Sequence, residues 1–156
     1  AREGEVVNGC LILKKEEYRA SQFQRRGNFV AVIATKLKNV PANMFFKVKN
    51  LRTVLMPEAE EIDDGLYQKG ESGGAFAKTC VENCYFPKLK RVGGSGFSQC
   101  KIQSQNFYFP KLVGIGEWAF RECQIKELNS DSFPSLEVIG KRGFWCCPIT
   151  STYLPS

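Results

Sequence analysis

Apolar positions along this chain return every 23 or 24 residues, a period longer than any single strand or amphipathic turn repeats. Three segments align without gaps over seventeen residues: FPKLKRVGGSGFSQCKI (86–102), FPKLVGIGEWAFRECQI (109–125) and FPSLEVIGKRGFWCCPI (133–149). They share the pattern F-P-x-L-x-x-[IV]-G-x-x-[AG]-F-x-x-C-x-I. A unit this short cannot close a core alone, so each must bury its apolar ring against its neighbours, as one coil of a solenoid. Leu89, Leu112 and Leu136 then stack in one ladder, and Val92, Ile115 and Ile139 in a second. Phe97, Phe120 and Phe144 form a third, each behind a small residue, and Ile102, Ile125 and Ile149 a fourth. The glycines at 93, 116 and 140 suit either a tight corner with positive φ or a close backbone approach. Pro87, Pro110 and Pro134 mark another corner, since proline cannot donate to a ladder.

Looser copies precede these. Residues 37–57 keep Leu37, Val40 and Phe45 at the same offsets and close with Met56-Pro57. In the next copy Ile62 and Tyr67 fall where Val92 and Phe97 do. From Tyr67 to the following Phe-Pro the chain is about seven residues longer than in later copies, which predicts an insertion near 68–84. About five repeats thus occupy 37–156. In residues 1–36, EVVNGCLIL and NFVAVIAT read as strands and KKEEYRASQFQRR as a polar helix. Repeat arrays need atypical end units, so 1–36 is predicted to be an N-terminal cap. Leu154-Pro155 stands where a further copy would begin, and no polar cap follows it. The open strand edges there predict end-to-end self-association or a longer native chain. The first ten residues have neither an initiator Met nor a signal-type apolar stretch, which fits a trimmed chain.

Composition narrows the chemistry. The sequence contains no histidine, which removes Ser-His-Asp triads, Cys-His pairs and histidine metal ligands. Gly70-Glu71-Ser72-Gly73-Gly74 spells G-x-S-x-G, the pattern of a nucleophile elbow. Yet the residues before it, DDGLYQK, are too polar for the buried strand an elbow requires. Its base would have to be a desolvated lysine, Lys69 or Lys78, in a glycine-rich stretch. A hydrolase using Ser72 is therefore a remote alternative, and no catalytic residue, cofactor or metal is expected. Of the seven cysteines, Cys80 and Cys84 lack the second pair that zinc would need. Cys100, Cys123 and Cys147 each follow a ladder Phe by three residues. Coils stacked about 4.8 Å apart gather these thiols into a column, which reads as structural.

The net charge of +6 is uneven: residues 58–84 hold two Lys/Arg against seven Asp/Glu, and both flanks are basic. Basic faces around Lys36, Lys38, Lys47, Lys49 and Arg52, and around Lys88, Lys90 and Arg91, suggest a polyanion such as a glycosaminoglycan. No base-reading motif or aromatic pattern supports specific nucleic-acid recognition.

The segments LRTVLMP, VGGSGFSQC, IGEWAFREC and IGKRGFWCC resemble the BspA-like leucine-rich repeats, and the resemblance covers residues 37–155. It implies a right-handed solenoid of short parallel strands joined by turns and brief helical pieces. It also implies a non-catalytic protein-binding or adhesion module of a secreted or cell-surface protein. The partner it implies is a host extracellular-matrix or surface protein. On such an array a partner reads the exposed variable positions. The candidate contacts are Lys90 and Arg91 in one coil, Trp118 in the next, and Lys141 and Arg142 in the third. Trp118 is either an anchor for a partner or a cover over the adjoining coil.

Overall fold

The computed structural model describes residues 4–103, 108–129 and 131–153. It is a β-solenoid of about six turns built on two parallel ladders. In the first, β1 (Glu5–Val7) pairs antiparallel with β2 (Cys10–Leu13). Parallel pairing then runs from β2 through β3 (Ala31–Ala34) and β5 (Thr53–Leu55) to β9 (Asn83–Tyr85). A bridge between Gln103 and Gln124, and the parallel pair β12 (Glu127–Asn129) and β14 (Ser151–Tyr153), repeat this pairing in later coils. The second ladder joins β4 (Asn39–Val40), β6 (Glu61–Ile62), β10 (Arg91–Val92), β11 (Gly114–Ile115) and β13 (Val138–Ile139), all parallel. In register, Val40, Ile62, Val92, Ile115 and Ile139 fall in one column. A hairpin of β7 (Tyr67–Gln68) and β8 (Glu71–Ser72) stands apart from both.

The third side of each coil carries the phenylalanine ladder. Phe23, Phe45, Phe76, Phe97, Phe120 and Phe144 form one continuous stack, with successive ring centroids 5.1–5.8 Å apart and planes within 13° of parallel. Parallel displaced rings of this kind add about 0.5–1.5 kcal/mol per pair beyond their burial. Backbone bonds fix the spacing. The amides of Phe23, Phe45, Phe76, Phe97 and Phe120 donate to the carbonyls of Met44, Ala75, Gly96, Ala119 and Gly143, one residue before the next ring, at 2.8–3.0 Å. Two residues on, the amides of Arg25, Lys47, Lys78, Gln99 and Glu122 do the same one coil further along.

This alternation explains why the described residues hold no helix, although helical pieces were expected. In an α-helix every interior amide turns to its own chain. Here every second one turns to the neighbouring coil. Residues two before and two after the ring take left-handed φ to allow it, namely Ser21, Asn43, Ser95, Trp118 and Arg142 before, and Arg25, Lys47, Lys78, Gln99, Glu122 and Cys146 after; Gly74, two before Phe76, is the exception. KKEEYRASQFQRR, read as a polar helix, follows the same course: Ser21 and Arg25 flank Phe23 with φ of 60°. The segment expected to cap the array therefore carries a ring of the stack, and β2 continues the parallel ladder.

Tyr67 does not hold the ladder position assigned to it by spacing. Phe76 does, buried between Phe45 and Phe97, while Tyr67 is 72% exposed. The extra residues thus lie before the ring, between Ile62 and Phe76, and not after it. Of the two roles offered for Gly93, Gly116 and Gly140, close approach is the one observed. A Cβ on Gly93 would sit 2.4 Å from the Ile62 carbonyl oxygen, and the others meet the preceding coil's backbone at 2.7–2.8 Å. The core runs without interruption from Leu11 to Phe133 and includes Leu89 and Leu112. Leu136, Phe144, Cys147 and Ile149 of the last coil pack against it while partly exposed. Leu154-Pro155 lies outside the described residues.

The thiol column has a specific bonding role. Cys100 Sγ donates to the Phe76 carbonyl (2.9 Å), Cys123 to that of Phe97 (3.0 Å) and Cys147 to that of Phe120 (3.0 Å). Burial pushes the Cys100 thiol up to about 12 and holds Cys123 well above its ordinary range, so both stay protonated donors. One coil earlier Thr79 takes the equivalent place. Its hydroxyl donates to the Phe76 carbonyl of its own coil at 2.8 Å and lies 3.3 Å from Cys100 Sγ. Cys123→Ala, which removes one of two donors to the Phe97 carbonyl and leaves it the Cys100 amide at 3.3 Å, should cost about 0.5–1.5 kcal/mol. Cys123→Thr should cost less, because a hydroxyl already serves at the Thr79 position. Urea denaturation midpoints decide this; equal losses for the two variants would mean the donation contributes nothing.

Candidate partner-binding site

The extra residues form the hairpin β7–β8, and a buried amide dictates its course. Asn43, fully buried and left-handed at φ 55°, donates from Nδ2 to the Leu66 carbonyl and accepts the Leu66 amide at Oδ1, both at 3.0 Å. The Gly73 amide closes the hairpin on the same Leu66 carbonyl at 3.1 Å. The two legs cross so tightly that a Cβ on Gly65 would lie 1.7 Å from the Gly73 carbonyl oxygen. On Gly74 it would lie 1.9 Å from that of Ser95. Within the G-x-S-x-G stretch Gly74 is thus required by packing, as is Gly73, whose Cβ would lie 2.3 Å from Asn43 Nδ2, while Gly70 has open space and is suited by its φ of 80°. Ser72 is exposed on a two-residue strand with no helix after it, and Lys78 Nζ, the nearby candidate base, bonds Glu71 at 3.3 Å.

Between the hairpin and the solenoid lies a groove of about 360 Å³, whose walls include Tyr67, Ser72, Asp64, Arg91, Glu117 and Trp118. Its floor is ordered by charge. Asp64 Oδ1 accepts the Gly94 amide at 2.7 Å and Arg91 at 2.8 Å. The Gly94 bond, assisted by Arg91, holds the Asp64 carboxyl below its usual range. Trp118 Nε1 donates to Glu117 at 3.0 Å. At the groove's end Trp118 and Trp145 meet edge to face with centroids 5.3 Å apart. Arg121 lies over both rings at 5.3 and 5.2 Å, and Arg142 over Trp118 at 5.0 Å.

The structure brings Trp118 and Arg142 into contact and places Arg91 on the same groove. Lys90 is exposed and sits 3.5 Å from Glu60, and Lys141 is exposed and contributes its carbonyl to the Trp118 amide. Trp118 is half-buried, so it both covers the adjoining coil and presents an edge to solvent. Tyr67, Arg121 and Trp145 complete the surface. Arg121 and Trp145 flank ladder rings and could have been found by asking which outward positions of adjacent coils carry π and cationic groups together. Tyr67 was hidden by its misplacement in the ladder.

The hairpin's outer side is held by Glu71, which pairs with Arg25 (3.0 Å), Lys47 (2.5 Å) and Lys78 (3.3 Å). The Lys47 bond, with those from Lys78 and Arg25, lowers the Glu71 carboxyl to about 2. A depressed carboxyl adds stability above its ordinary value near 4.5 and loses it as pH falls toward about 2. Between those limits the melting temperature of the wild type should fall more steeply than that of Glu71→Gln. Parallel curves would show that the pairing adds nothing to stability.

The model of the BspA type leucine rich repeat region matches residues 16–101 and 72–156 with six copies, one more than the spacing of the sequence revealed. No curated protein and no solved structure matches the chain. Six matched copies and six stacked rings agree: the chain belongs to the BspA-type leucine-rich repeat family.

Proposed function

We propose that this chain is a non-catalytic binding module of a secreted or cell-surface protein, and that it grips a host extracellular-matrix or surface protein at the hairpin groove. BspA-type repeats are commonly used in protein binding or adhesion, and proteins of the family are often surface-exposed or secreted. One observation carries the assignment of the face: exposed Tyr67 and Trp118 line one groove, and Trp118 is in turn packed against Trp145, Arg121 and Arg142. Trp, Tyr and Arg dominate the energetics of protein interfaces because they bury large areas with few rotors and retain a polar handle.

The anion-binding alternative is favoured by the surplus of cations at the N-terminal coils. Around Lys88, Lys90 and Arg91 it is weakened, because Glu58, Glu60 and Asp64 neutralise them at 2.8–3.5 Å. End-to-end self-association is supported by Val138 and Ile139, 60% and 41% exposed on the outer strand of their sheet. At the opposite end the antiparallel β1 supports a capping role for the start of the segment 1–36, since it ends the parallel ladder, while the residues around Phe23 belong to the stack.

Purified extracellular-matrix proteins, tested by surface plasmon resonance, should include one that the chain binds. Tyr67→Ala and Trp118→Ala should each weaken that complex by about 2 kcal/mol, roughly thirtyfold. Binding unaffected by both variants would place the contact elsewhere. A fluorophosphonate probe should leave Ser72 unlabelled; labelling would revive the hydrolase reading.

A further inference from the structure

A second concavity, about 470 Å³, carries charge of one sign: it is lined by Arg25, Arg26, Gly27, Lys47, Lys49 and Asn50. Arg25 and Lys47 occupy the same repeat position, two residues after Phe23 and Phe45, and Lys78 follows in the next coil after Phe76. Stacking therefore sets three cations in a column at about the 4.8 Å inter-strand spacing, where like charges repel. Two features hold them there. The Phe46 ring underlies Arg25, Lys47 and Lys78, with centroid distances of 5.5, 5.5 and 6.0 Å. Glu71, from the hairpin, spans the same three from the other side. Arg26 lies over Phe23 at 5.2 Å, and neither it nor Lys49 has an ion-pair partner among the described residues. Positive charge is concentrated here without full compensation.

We propose that this cleft binds the sulfate and carboxylate groups of an acidic polysaccharide, and that Glu71 is the built-in carboxylate such a ligand displaces. The inference rests on the anion-binding alternative, to which it gives a site, and is independent of the protein groove. Guanidinium forks fit sulfate and carboxylate oxygens in pairs, and a ladder of cations from successive coils suits a chain with regularly spaced anions. The lining favours a polysaccharide over other polyanions. It offers no exposed aromatic ring on which a nucleic-acid base could stack, because Phe23 and Phe46 are each 1% exposed. It also has no apolar side chain to enter a bilayer.

The test is calorimetric titration of the full chain with heparin oligosaccharide at several salt concentrations, with melting curves to confirm that each variant is folded. Wild type should bind, and Arg26→Ala and Lys49→Ala should each weaken binding about fivefold. Glu71→Gln should tighten it, and Lys90→Ala should leave it unchanged. Heparin binding that ignores Arg26→Ala and Lys49→Ala would overturn the cleft while leaving anion binding in place. No binding by the wild type would overturn both. A Glu71→Gln variant that binds no more tightly would refute the displacement. Equal or tighter binding to phosphatidylserine vesicles or to oligo(dT) would refute the choice of a polysaccharide.

Discussion

Everything in this molecule depends on one requirement: on the phenylalanine face, every second amide must reach the coil beside it. A coil of this length has too few residues to satisfy its own backbone and too little surface to bury its own core. The solution is a run in which left-handed residues bracket five of the six rings, all but Phe76, and amides alternate between the chain's own turn and the neighbour. Once the amide of each ladder Phe is tied to the carbonyl before the next ring, the rings have no freedom but to stack. The same tie leaves the carbonyls of the rings, each already bonded within its own turn, open to second donors. Thiols from the following coil supply them for Phe76, Phe97 and Phe120. A cysteine is well suited, being small enough for the interior and polar enough to donate weakly.

This requirement also explains what the sequence could and could not disclose. The ladders of Leu89 and Leu112, of Val92 and Ile115, and of Phe97 and Phe120 were legible because burial repeats with the period and each position tolerates few residue types. The coil around Phe23 was not, because its leucine position is Lys15 and its thiol position is Arg26; only the ring and the strands survive there. The left-handed positions were equally silent. Apart from Asn43, backbone demand at these sites is met by Ser, Lys, Gln, Trp, Glu, Arg and Cys, none of which announces positive φ as glycine does. Tyr67 shows the limit of spacing as an argument. It has the right offset from Ile62, but the chain has already been diverted at Gly65 by Asn43, a polar residue buried from the preceding coil.

The candidate site owes its existence to that diversion. A regular solenoid presents shallow, repetitive faces; a groove needs something to stand beside the face. The hairpin supplies the second wall, and adjacent coils supply Arg91 and Trp118 to the first. Only some of this was legible. Exposed cationic and aromatic positions could be picked from the repeat, but their grouping depends on which coils adjoin and on which side the inserted residues fold. Trp118 with Arg142 follows from adjacency alone; Tyr67 facing them does not.

The hairpin is held unequally along its length, and this decides how it can respond to a ligand. At its base the Asn43 amide makes two hydrogen bonds in a buried setting, where loss of either would strand a polar group out of reach of water. At its tip Glu71 relies on ion pairs open to solvent, which water and salt weaken. A competing anion therefore acts on the tip first, and the base keeps the legs crossed. Ser72 next to Glu71 is part of the groove wall, while Arg25 and Lys47 on the other side of Glu71 line the basic cleft. Glu71 and Ser72, adjacent on one strand, thus lie between the two sites. A hairpin clamped at its base and tethered by charge at its tip is the arrangement that allows a local response.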